Sequence, residues 1–115
     1  MVSKEVSAAV VVSDNKKSAK WFEDVLGFES SGDGHWVLVW PKGSNAKLHL
    51  CEGDLEPGNT GIAFYVTDAK KEEAKLKAKG VKFTSPVKKQ PWGDVSGMFS
   101  DPDGNVFWLM EGSGP

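Results

Sequence analysis

VSDNKK (residues 12–17) returns half a chain later as VTDAKK (residues 66–71). Each copy follows a short apolar run, residues 8–12 and 62–66, and precedes a stretch of helical composition closed by a glycine, Gly27 and Gly80. Aspartate is a good N-cap because its carboxylate accepts a backbone N–H left free in the first helical turn. Glycine stops a helix because it adopts the left-handed conformation without steric cost. Asp14 and Asp68 are therefore predicted to start two helices, and Gly27 and Gly80 to end them. The repeat reads as strand and capped helix, twice over.

Outward from this frame, Ala19, Phe22, Val25 and Leu26 fall on one face of the first helix, with Lys20, Glu23 and Asp24 turned away. In the second helix Glu72/Lys75 and Glu73/Lys77 form opposite-charge pairs at i,i+3 and i,i+4. Its apolar stripe, Ala74, Leu76 and Ala78, is thin. After the first helix come strand-like runs at residues 28–30, 35–40 and 47–51, and after the second at 81–84, 95–100 and 105–111, separated by Gly, Pro, Asn and Asp clusters. Residues 51–59 read as the linker between the halves. The predicted order is βαβββ twice, an α+β chain.

The 115 residues, 39% hydrophobic and 26% charged, suit one compact domain, residues 1–115, made of modules at about 1–54 and 60–112. The N-terminal apolar run is short and ends at Ser13 and Asp14, so neither a signal peptide nor a membrane span is expected, and the chain reads as cytoplasmic. Cys51, the single cysteine, allows no internal disulfide. The net charge is −2 and all 14 basic residues are lysine, which argues against nucleic-acid or phosphate recognition by arginine forks.

Strand alternation assigns faces. Val10, Val12, Leu48, Leu50, Ile62, Phe64, Val66, Phe107 and Leu109 form an apolar set that should pack under the helices. The opposite parity gives Ser7, Ala9 and Val11; Lys47, His49 and Cys51; Gly61, Ala63 and Tyr65; and Val106, Trp108 and Met110. This mixture of small, polar and aromatic residues suits a ligand cavity better than a core.

Here the chain resembles the vicinal oxygen chelate superfamily, which groups glyoxalase I, extradiol dioxygenases and the bleomycin resistance proteins. The resemblance rests on SDNKKSAKWFEDVLGF after the first strand, on the repeat VTDAKKEEAKLKAKGV, and on the closing FSDPDGNVFWLME. QPWG before a strand and a DPxGN turn looks most like the bleomycin resistance branch. It implies two βαβββ modules forming curved mixed sheets around a cavity. It also implies a homodimer, often with half of one chain facing the other half of its partner. The four positions that hold the metal in the metal-dependent members fall on Ser7, His49, Gly61 and Trp108. Glycine and tryptophan supply no ligand, and a catalytic zinc keeps three protein ligands. Family metal chemistry is therefore expected to be lost.

Trp108 then offers a flat apolar surface where an enzyme of the family holds its metal carboxylate. Trp36 and Trp40 share a strand parity, and Trp92 sits on the loop that the resemblance puts at the pocket mouth. Trp21, beside Phe22, reads as packing. The expected ligand-binding set is Trp108, Trp92, Trp36, Trp40, His49, Tyr65 and Met110, with no catalytic residue, no metal and no cofactor. Indoles around a cleft favour planar ring systems and hold cations over their faces. The leading expectation is a metal-independent protein that sequesters a planar aromatic small molecule, a cationic antibiotic of the bleomycin type included. The alternative is an isomerase, lyase or dioxygenase with a displaced divalent-metal site around His49 and Glu52 or Glu111.

Other motifs are weaker. His35, beside Gly34, reads as exposed. A Cys51/His49 dyad lacks a third group to orient the base. Asp101-Pro102-Asp103-Gly104 does not fit a calcium loop and suits a type I turn. Neither a phosphate-cradling glycine loop nor a nucleophilic serine elbow is present in the sequence.

Overall fold

The computed structural model describes residues 7–113. The chain divides into two compact units, Met1–Glu56 and Pro57–Pro115. The first runs β1 (Ser7–Val12), α1 (Asn15–Leu26), β2 (Glu29–Ser31), β3 (Leu38–Trp40) and β4 (Lys47–Glu52). The second runs β5 (Gly58–Val66), α2 (Ala69–Ala78), β6 (Lys82–Lys89), β7 (Val95–Ser100) and β8 (Asn105–Glu111). The predicted α+β class and the double βαβββ order are thus both present. Each unit holds a four-stranded mixed sheet, ordered β1-β4-β3-β2 in the first and β5-β8-β7-β6 in the second. In each, the first and last strands pair in parallel and the others antiparallel.

The caps form as the sequence requires. The Asp14 side chain accepts from the N–H groups of Lys16 and Lys17 at 3.1 and 3.0 Å, and Gly27 takes the left-handed conformation with φ 73°. Asp68 accepts from Lys71 N–H at 3.1 Å. Asp14→Ala is expected to cost about 1 kcal/mol, measured as a shift in the urea midpoint at unchanged slope. A second device was not legible locally. Glu52, at the end of β4, accepts from the N–H of Asn15, the first residue of α1, at 2.9 Å. Glu111, at the end of β8, does the same for Ala69 at the start of α2, at 3.0 Å. A carboxylate beside a helix N-terminus is favoured by the free N–H groups and the helix dipole.

Phe22, Val12, Val39 and Leu50 are fully buried in the first unit, and Phe99 and Phe107 in the second. Ile62, Phe64 and Val66 are only half-buried, unlike Val10 and Val12 of the corresponding strand β1, although the Phe64 ring still meets those of Phe107 and Phe99. In α2 the expected stripe is corrected. Ala74 and Ala78 are exposed, whereas Ala69 and Leu76 are buried. Positions two apart do not share a helical face, and positions seven apart do. The pairs Glu72/Lys75 and Glu73/Lys77 form at 3.8 and 3.5 Å, and Glu73 also accepts from Val87 N–H, tying α2 to β6.

Three strands depart from expectation by more than one residue, each for a local reason. Residues 35–37 leave the third strand because Trp36 N–H closes a turn on Asp33 O at 3.0 Å, with Gly34 at φ 57°. Gly32 makes that turn possible: its φ is 95°, and a Cβ there would fall 1.7 Å from the Trp36 carbonyl oxygen. β6 runs past Thr84 to Lys89 by bulging. It is an edge strand, so the missing N–H of Pro86 costs little. β5 starts four residues early, at Gly58, across an irregularity where side chains replace ladder bonds: Asn59 Oδ1 accepts Gly61 N–H, and Thr60 Oγ1 accepts Ile62 N–H.

Candidate functional site

The expected ligand-binding residues divide between the two units, and each group has its own geometry. In the first unit, β4 pairs β1 so that Ala9 lies opposite His49, and β3 pairs β4 so that Leu38 lies opposite His49. Val37 and Val39 turn inward and are buried, which leaves Trp36, Leu38 and Trp40 on the other side. The Trp36 indole stacks on the His49 imidazole, centroids 4.8 Å apart at 17°. His49 Nε2 lies 2.7 Å from the His35 carbonyl oxygen. A carbonyl only accepts, so Nε2 carries the hydrogen in this bond. Trp36 remains 69% exposed. Trp40 is half-buried, apart from that stack, and carries the Lys47 ammonium 4.9 Å from its ring centroid.

In the second unit, β8 lies between β5 and β7, so Trp108 has Ala63 on one side and Met98 on the other, and Met110 has Tyr65 and Ser96. Trp108 and Met110 are half-buried, and Tyr65 is exposed. Trp92, in the loop between β6 and β7, sets its ring edge-on to Trp108 with centroids 6.4 Å apart and planes at 75°. Trp92 stays 65% exposed. Its orientation is nonetheless fixed: Nε1–H donates to Asp94 Oδ2 at 2.7 Å, and Asp94 Oδ1 accepts from Ser96 Oγ at 2.8 Å. The loop is closed beneath by Gln90 N–H to Asp94 O, Gly93 N–H to Gln90 O and Gln90 Nε2 to Ser96 O. Met98, Asp94 and Ser96 escaped the sequence reading. Alternation along residues 95–100 would have found Met98, whereas nothing local signals the Asp94 bond.

The closing turn leads into β8, the strand that bears Trp108. Asp101 Oδ1 accepts from Asp103 N–H and Asn105 N–H, both at 2.9 Å, and Oδ2 accepts from Asn105 Nδ2 at 2.9 Å. Gly104 N–H returns to the Asp101 carbonyl, as the turn reading requires. Burial pushes the Asp101 carboxyl above its ordinary value, against the bonds from Asn105 and Asp103 that favour the ionised form.

The residues present do not fit the superfamily's metal. Ser7 and His49 lie on β1 and β4, Gly61 and Trp108 on β5 and β8, and the last two carry no donor a metal would take. His49 Nε2 is committed to a backbone carbonyl. Glu52 and Glu111, the acids weighed for a displaced site, are each bonded to the first N–H of their own unit's helix. Among the described residues no group of three or more His, Cys, Asp or Glu comes together to hold a metal ion. Cys51 Sγ contacts the Glu52 carbonyl oxygen, while the His49 ring faces Trp36 and His35. Trp21 packs edge-on against Phe22 at 5.1 Å, in keeping with a structural role. No helix among the described residues is long and apolar enough to cross a membrane.

Residues 6–109 match the Glyoxalase/Bleomycin resistance protein/Dioxygenase superfamily, and the chain belongs to it. A crystal structure of a member of that superfamily from Sphaerobacter thermophilus is 33% identical, with a TM-score of 0.89, covering 96% of this chain and 98% of that one. TnmS3, an antibiotic binding protein from Streptomyces sp. CB03234, is 31% identical with a TM-score of 0.78, covering 97% and 98%. The Bacillus subtilis protein YetH is 29% identical over 96% of this chain and the whole of its own length.

Proposed function

We propose that this chain is a binding protein that sequesters a planar aromatic small molecule, cationic antibiotics of the bleomycin type included, without a metal ion. The observation that carries this reading is the Trp92–Trp108 pair. A protein gains little stability from an indole left 65% exposed, yet here the ring is hydrogen-bonded into one orientation against a second indole. Fixing an aromatic surface before the ligand arrives removes part of the ordering cost of binding. The likeness to TnmS3, an antibiotic binding protein, supports an antibiotic as the ligand. Trp108, Trp92, Tyr65 and Met110 are the ligand contacts of one face, and Trp36, Trp40 and His49 those of the other. Sequestration asks only for complementarity and exclusion of water, so no residue takes a catalytic role and no cofactor is needed. In this reading the two units are halves of one domain, and the working form is a cytoplasmic homodimer whose mass sedimentation would give.

The test is a tryptophan-fluorescence titration of chelator-treated protein with metal-free bleomycin. Saturable quenching at one ligand per chain is the expected result. A flat response would remove this ligand from the reading and make the content of bound divalent metal the next measurement.

A further inference from the structure

The Asp94 carboxylate lies outside the expected ligand contacts, yet it organises them. Its Oδ2 receives the Trp92 N–H at 2.7 Å and its Oδ1 the Ser96 hydroxyl at 2.8 Å. The backbone of the same residue accepts from Gln90 N–H at 2.7 Å. Ser96 is fully buried and Gln90 is 8% exposed, so the base of this network is rigid while the indole it holds stands in solvent. Trp108, the ring that Trp92 meets edge-on, lies in register with Met98 on the neighbouring strand.

A hydrogen bond to a carboxylate is charge-assisted, short and stronger than one to a neutral acceptor. It also polarises its donor. An indole that donates N–H to an anion gains electron density over its ring, and a ring with a more negative face holds a cation more tightly. An amide or water at the same position would orient Trp92 without enriching it.

We infer that Asp94 is a positioning and specificity-determining residue: bonded to Trp92 Nε1, it fixes the indole against Trp108 and tunes its face toward positively charged planar rings over neutral rings of the same shape. The inference rests on the reading of this face as a binding site. It assigns the discrimination between charged and neutral ligands to a residue acting through an indole.

Two probes of one shape separate the effects: N-methylacridinium, a permanent cation, and acridine, neutral in mildly alkaline buffer. Both are measured by equilibrium dialysis against the full chain and against Asp94→Asn, Trp92→Phe and the double variant, with thermal melts to verify folding. The wild type is expected to prefer the cation, and Asp94→Asn to lower that preference by ~3–10-fold, the size of a cation–π contribution, with acridine affinity nearly unchanged. In the Trp92→Phe background, where no N–H reaches the carboxylate, Asp94→Asn is expected to leave the preference within about twofold, because the coupling term has gone. Equal losses for both probes, an unchanged preference, or an undiminished effect in the Trp92→Phe background would each overturn the inference while leaving the binding reading in place. Failure of the wild type to bind either probe would overturn both.

Discussion

Asp101→Ala is expected to lower the unfolding free energy by about 2–4 kcal/mol, the range for leaving several buried donors without their acceptor. The residue is 4% exposed and its two oxygens take three hydrogen bonds from Asp103 and Asn105. Those bonds fix the turn that starts β8, the strand bearing Phe107, Trp108 and Leu109. Urea unfolding followed by circular dichroism measures the loss, and a change below about 1 kcal/mol would sink the account of the turn as a buried anchor. The same carboxyl carries a pH signature. Because burial raises its folded-state value above that of the unfolded chain, the folded protein holds this proton more tightly. Its contribution is complete below the unfolded value and is lost as pH rises through the folded one. Wild type is therefore expected to gain stability relative to Asp101→Asn on acidification through the carboxylate range. Parallel stability curves for the two proteins would contradict that sign.

Trp108→Ala and Trp92→Ala are expected to weaken ligand binding by about 1.5–3 kcal/mol each, ~10–100-fold in Kd, as for aromatic hot spots elsewhere. Trp92 gives the cleaner experiment: at 65% exposure its removal takes little from the core. The two losses are not expected to add, because the rings are in contact. Fluorescence or calorimetric titration with metal-free bleomycin reads the effect, with circular dichroism as the check on folding. Wild-type affinity in both variants would show that this face is not where the ligand sits.

Much of this architecture is written locally. Asp14 with Gly27, and Asp68 with Gly80, bracket their helices in sequence, and alternation put Trp108 and Met110 on the side away from Phe107 and Leu109. β7 and β8 have the bounds that pattern predicts, because turn residues close both ends. Where local pattern competes with a backbone constraint, it misleads. The run at residues 35–40 looks like a strand, but the turn closed by Trp36 N–H removes its first half, and the run expected to end at Thr84 continues to Lys89 as the edge strand β6. The site was legible by residue type and not by relation. Indoles advertise themselves, whereas the bond from Trp92 to Asp94 and the stack of Trp36 on His49 depend on side-chain geometry that no spacing encodes. Glu52 and Glu111 read as spare ligands because their helix partners lie 37 and 42 positions away.

Those two long-range bonds bear on how the chain comes together. In each unit the last strand must dock beside the first before its terminal glutamate meets the helix start, so sealing the helix coincides with forming the parallel ladder. Closing such a segment costs chain entropy up front, and contacts distant in sequence slow folding. In either unit the first N–H of the helix thus gains its native acceptor only once the parallel ladder is in place. On a ribosome, the leading N–H of α1 must wait for 37 further residues before its native acceptor exists.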